Sequence, residues 1–211
     1  MSYEFAQDII EKVSKEYTLS KEHQYIFAGL PSETEHNMSQ LYIDSGTVVK
    51  DKQDREAYLL KQNKDKSIGF IDLEKVNETS DKEHYLICSY KDPDKLGETY
   101  QHKALKYFDL VAGIFATKIE QLFKNGYQNV YLVTDHGFVL TGILDNSDKI
   151  EVDFKGNVKI SERFIRSENK QKIDTNLLIE KEVVYNNFNY SYFAKRLGPF
   201  KSTGVYGFSH G

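Results

Sequence analysis

The chain has 211 residues, 39% of them hydrophobic and 28% charged, enough for one α/β core, and no apolar run approaches the roughly 20 residues of a membrane span. One soluble domain without a membrane partner is therefore expected. A formal net charge of -4 gives no support for broad nucleic-acid binding, which needs clustered Lys and Arg, while 15 Tyr and 13 Phe without Trp suit core packing or base stacking equally.

At the start, Phe5, Ile9, Ile10 and Val13 recur at helical spacing and predict an amphipathic helix from about Tyr3 to Tyr17. No basic segment followed by an apolar one precedes it, so no secretory signal is read. Tyr25-Ile26-Phe27-Ala28 reads as a short strand; Gly29-Leu30-Pro31 turns the chain, and Ser32 with Glu35 three residues on starts a capped helix. Thr34 then lies at a helix amino terminus. From about Val49 to Lys66 the charge-rich sequence predicts a solvated helix or an ordered insertion.

Strands are expected at Ile68-Gly69-Phe70-Ile71 and from His84 to Tyr90, the second apolar enough to lie inside a covered sheet. It contains the single cysteine, Cys88, expected to be a buried and inert thiol that suits a reducing cytoplasm. After Asp92-Pro93-Asp94 the longest helix is predicted to run to about Asn125, with Leu105, Phe108, Ala112, Phe115, Ile119 and Leu122 on one face and Gly126 at its end. Val130-Tyr131-Leu132-Val133 is predicted as a short buried strand with Asp135 just past its carboxyl end, where ligand chemistry collects in open parallel sheets.

The pattern then changes. Ile150 to Phe154 and Val158 to Ile160, around Lys155-Gly156-Asn157, read as a β-hairpin, and Leu177 to Tyr185 as a further strand. The fold class expected is α/β, a mainly parallel central sheet flanked by helices. Residues 1–211 are read as a single domain, with 145–200 a hairpin-rich insertion or cap inside it.

Asp135 and His136, followed by Gly137, would bring a hard oxygen donor and an imidazole together with room for an ion. The same residues can equally form a structural turn, and Ser32, Thr34, Asp92 and Asp94 can equally be helix caps. Three ordered segments carry more information: Leu30-Pro31-Ser32-Glu33-Thr34-Glu35 with Met38, Val133-Thr134-Asp135-His136-Gly137-Phe138, and Tyr206-Gly207-Phe208-Ser209-His210-Gly211. In this order they resemble PglZ domains, a branch of the alkaline-phosphatase superfamily related to the nucleotide pyrophosphatase/phosphodiesterases.

The resemblance implies an alkaline-phosphatase-like sheet and a cofactor of two divalent ions, zinc by preference and manganese as the alternative. It implies Thr34 as nucleophile, Asp135 and His136 as ligands of the ion that activates it, and His210 as a ligand of the second. A fourth segment, Pro93-Asp94-Lys95-Leu96-Gly97-Glu98, is similar to the Pro-Asp-x-x-Gly-His motif of the phosphodiesterase relatives. It implies Asp94 as a ligand of the second ion, with Glu98 where the relatives have His, or His102 one turn later in its place. The superfamily also places an Asp at the end of a first strand, which this chain lacks before its opening helix, and the chain stops one residue after His210. That is the pattern of a domain truncated at both ends, and such a fragment is expected to bind metal weakly and be inactive.

Two functions follow from the resemblance. One is a metal-dependent phosphoester hydrolase, a phosphomonoesterase or phosphodiesterase acting on nucleotide-type substrates within a cytoplasmic anti-phage defence or signalling protein. The other is a non-catalytic assembly module of a BREX-type defence complex, with a degenerate metal site and other defence proteins as partners. A transferase or mutase would share the same ligands.

Overall fold

The computed structural model describes residues 3–15, 17, 34–43, 47–77, 83–140, 144–195, 198–202 and 208–210. They form two compact units, Met1–Gly137 and Phe138–Gly211. The architecture is mixed α/β. The expected strand at Tyr25 to Ala28 and the Ser32 cap lie outside the described residues. Among the described residues no helix is long and apolar enough to cross a membrane.

In the first unit the expected opening helix is α1, Tyr3–Val13. Its Phe5, Ile9 and Val13 are buried, one turn apart as the sequence spacing requires. They pack on α5, Leu105–Lys124, whose Phe108, Val111, Ala112, Phe115, Ala116 and Leu122 make the facing stripe. The Phe5 ring lies 5.4 Å from Phe108 and 6.3 Å, edge-on, from Phe115. Leu105, expected on this stripe, is 61% exposed, because it sits at the helix start where the chain has just turned. At the other end Gly126 takes φ 89° and its N–H bonds to the Phe123 carbonyl, the expected glycine stop.

The single long helix expected after Asp92 is instead two. Helix α4, Asp92–Tyr100, ends in a 3-10 turn, Gln101–Ala104, before α5 begins. Gln101 has φ 52°, a left-handed conformation that no continuous helix accommodates. Its side-chain Nε2 donates to the Glu98 carbonyl at 2.7 Å, satisfying a group that the break would otherwise leave without its helical partner.

Between these helices lie α2, Thr34–Tyr42, and α3, Lys52–Gln62. Helix α3 is the solvated helix that the charge-rich stretch predicts, except that Arg55 is buried and its guanidinium donates to the Val49 and Lys50 carbonyls. Ser39 of α2 meets the same segment: its Oγ accepts from Val49 N at 2.9 Å. Strands β1, Ile68–Asp72, and β2, Tyr85–Ser89, pair in parallel from Ile68 opposite Tyr85 to Asp72 opposite Ser89. This is the parallel sheet among the described residues. Val130 to Val133 differs from expectation: it is not a strand, and Tyr131, Leu132 and Val133 are 82%, 38% and 58% exposed. No described strand bonds to it, so neither a ladder nor a covering layer removes its side chains from water.

In the second unit β3, Phe138–Leu140, pairs antiparallel with the late strand Phe208–His210. A four-stranded antiparallel sheet follows, made by β4, Val158–Ile160, β5, Phe164–Ser167, β6, Leu178–Tyr185, and β7, Phe188–Ala194, in the order β4-β5-β7-β6. Strand β6 was expected. The hairpin expected between 150–154 and 158–160 is not formed: β4 turns at Ser161 to pair with β5, and Ser161 Oγ accepts from Phe164 N. Ile150, Val152 and Phe154 instead pack on the core of Ile165, Leu178, Tyr192 and Phe200, and Ile150 bridges Phe200. Burial of these alternating apolar residues outweighs pairing with β4. Gly156 still makes the expected turn, at φ 84°.

Two predictions follow from this packing. Phe115→Ala, which empties the space between Phe5 and Tyr90, is expected to lower unfolding free energy by about 3–5 kcal/mol in urea titration. Burial pushes the Cys88 thiol from its ordinary 9.0 up to about 11, so the folded state holds this proton more tightly than the unfolded state. That stabilisation is complete below pH 9.0 and is lost as pH rises toward about 11. The difference in urea midpoint between the protein and Cys88→Ala is therefore expected to shrink across this window; a constant difference would refute it.

Candidate metal centre

Asp94 enters the site from the first turn of α4. Pro93, at a position where its missing N–H costs nothing, starts the helix, and the helix amides favour a carboxylate there. The start of α4 is held in turn by Tyr90, the residue after β2, whose ring stands edge-on to Phe115 at 5.0 Å. The second contribution comes from the irregular segment after Val133, which carries Asp135 and His136.

His136 is the centre of the arrangement. Its side chain is 2% exposed, against 19% for Asp135 and 44% for Asp94. Nε2 lies 3.5 Å from Asp94 Oδ2 and 3.6 Å from Asp135 Oδ2. Both separations exceed the usual hydrogen-bond range of about 2.7–3.2 Å, so they are electrostatic contacts rather than bonds. Nδ1 lies 2.9 Å from the Gly137 carbonyl oxygen, which only accepts, so Nδ1 carries hydrogen. In a neutral ring this tautomer turns the Nε2 lone pair toward two carboxylates. A cation on that side of the ring would meet an imidazole nitrogen and two carboxylate oxygens.

The donor set suits an ion. Mixed carboxylate and imidazole ligation with the second ring nitrogen on a carbonyl is a common zinc arrangement, and ligands about 2.0–2.1 Å from zinc stand about 3.3–3.4 Å apart in a tetrahedron. The two contacts of His136 are close to that edge. They do not amount to a finished shell: among the described residues no group of three or more His, Cys, Asp or Glu is disposed to hold a metal.

The other expected residues stand as follows. Thr34 is the first residue of α2 and is exposed. Glu98 lies one turn beyond Asp94 on α4, and His102 in the following 3-10 turn; both are exposed. His210 belongs to the second unit, its backbone in register with Phe138. Asn37 has no motif to mark it except its spacing of three from Thr34. It is 4% exposed, and neither side-chain oxygen nor nitrogen has a hydrogen-bond partner.

The chain matches no protein-family model, no curated protein and no solved structure.

The Nδ1–H form makes a direct prediction. In nitrogen-detected long-range spectra, His136 is expected to show a protonated Nδ1 across the range in which the ring is neutral. A neutral ring protonated on Nε2 would contradict the assignment.

Proposed function

We propose that the chain is a metal-dependent phosphoester hydrolase, a phosphomonoesterase or phosphodiesterase of the PglZ type with an alkaline-phosphatase-like sheet. The observation that supports this most is the approach of Asp94 to His136. These residues are far apart in the chain, and both were singled out as ligands by the resemblance. Asp135 and His136 would hold one ion, zinc by donor type or manganese, and Asp94, which the resemblance assigns to the second ion, approaches the same imidazole. Bound ions would supply positive charge to the phosphate oxygens and to a nearby hydroxyl.

The remaining chemistry belongs to the chain. Thr34, at the amino end of α2, presents its hydroxyl where the helix amides favour an anion. In this reading its oxygen bonds to phosphorus as the bond from phosphorus to the leaving oxygen breaks, and the hydroxyl proton passes to solvent. Water then cleaves the phosphothreonine, releasing phosphate or a phosphomonoester and restoring the hydroxyl. The substrates proposed are nucleotide-type phosphoesters, in a cytoplasmic defence or signalling protein.

A second reading, an assembly module of a defence complex, draws on the exposed Tyr131, Leu132 and Val133, an apolar run of the kind a partner covers. One experiment separates the two. Zinc is expected to raise the melting temperature of the protein and of Thr34→Ala, but not of Asp135→Ala or His136→Ala. Turnover of bis(p-nitrophenyl) phosphate is expected to fall at least ~100-fold in Thr34→Ala and Asp135→Ala. Turnover undiminished in both variants refutes the hydrolase; zinc stabilisation with no turnover in any form favours the assembly module.

A further inference from the structure

Helix α2 reads TEHNMSQLY, and its two buried side chains are polar, Asn37 and Ser39. The Ser39 hydroxyl is fully used, donating to the Glu35 carbonyl at 2.6 Å and accepting from Val49 N. Asn37 differs: it is 4% exposed, yet both atoms of its amide lack a partner. A buried amide with neither atom bonded is costly, and native proteins leave few such groups.

Its direction suggests what resolves the cost. Side chains on a helix lean toward the amino terminus, and residues three apart share a face, so Asn37 leans back over the turn that begins at Thr34. The first N–H groups of a helix have no carbonyl partner within it and carry the positive end of the helix dipole. Helix α2 thus offers an anion the positive end of its dipole, the Thr34 hydroxyl and, from the side, a desolvated amide.

We infer that Asn37 is a binding residue at this helix terminus, with Nδ2 donating to an oxygen of a phosphate group held there. The choice of phosphate rests on the reading of Thr34 as nucleophile. A neutral donor suits the place: it bonds an oxyanion without itself being a buried charge when the site is empty. Oδ1 is left to accept from the Thr34 hydroxyl or from a protonated phosphate oxygen. Sequence motifs do not reveal this role, because asparagine within a helix is commonplace and only its unsatisfied burial distinguishes it.

The test titrates the protein with inorganic phosphate while following the side-chain amide resonances of Asn37 and the thermal melting curve. Phosphate is expected to move the Asn37 Nδ2 proton downfield. Asn37→Leu, which keeps the branched outline of the side chain without its donor and acceptor, is expected to bind phosphate roughly tenfold more weakly, as for loss of one hydrogen bond to a charged group, with a melting temperature without phosphate no lower than before. An unmoved amide resonance, equal affinity in Asn37→Leu, or no phosphate binding by the unchanged protein would overturn the inference. So would a lower melting temperature with affinity intact, which would mean that the amide bonds protein groups. Thr34→Ala separates this from the hydrolase reading. If turnover survives that substitution while phosphate binding still depends on Asn37, the nucleophile assignment fails and the binding residue stands.

Discussion

Phe115 is the residue on which the first unit is assembled. On one side it receives Phe5 of α1, and on the other the ring of Tyr90. The first contact is helix-on-helix burial, a large apolar term that needs no particular partner geometry. The second has a more specific consequence, since Tyr90 follows directly on β2 and leads within two residues into α4. Fixing Tyr90 against α5 therefore fixes where Asp94 leaves the backbone. The Lys12–Asp109 pair at the rim of the same helices, 2.7 Å apart with Asp109 in open solvent, adds little beside this burial.

The electrostatics of His136 build on that frame. The imidazole is buried, with one nitrogen on a carbonyl and the other 3.5 and 3.6 Å from two carboxylate oxygens. Two carboxylates beside the ring make the place more favourable to a cation than to an anion. Helix α2 has the opposite preference, since its amino end favours negative charge. A phosphoester site needs both, a cation and a terminus complementary to oxyanions. Both features occur in the same unit.

Elements governed by local periodicity were legible in the sequence. Helix α1, the apolar stripe of α5, strands β1, β2 and β6, and the Gly126 stop follow from spacing and from glycine chemistry alone. What failed was whatever depended on a distant partner. Val130 to Val133 has the composition of a buried strand, but a strand is made by its neighbour, and no described neighbour is present. Val158 to Ile160 was correctly seen as extended but given the wrong partner, because the alternating residues 150–154 were needed for the core. The break at Gln101 was hidden because α4 and α5 each satisfy a helical pattern. The resemblance singled out Asp94, Asp135 and His136, whose side chains approach one another in the structure, whereas the burial of Asn37 is a tertiary fact with no local signature.

The position of Asp94 also follows from the direction of the strands. In a parallel pair both carboxyl ends face the same edge, and ligands gather there because the following loops and helix amino termini converge on it. Strand β2 ends at Ser89, and α4 begins three residues later with its amino end and Asp94 at that edge. The amino-terminal residue of α3 reaches the same place, with Lys52 Nζ donating to Ser89 Oγ at 3.1 Å. The edge thus collects a carboxylate from one helix and an ammonium from another around the end of a single strand. Glu56, 3.5 Å from Lys52, offsets part of that positive charge, so the ammonium is held in position rather than left to swing in solvent. Two strands suffice to set this polarity, because it depends on parallel pairing and not on sheet width.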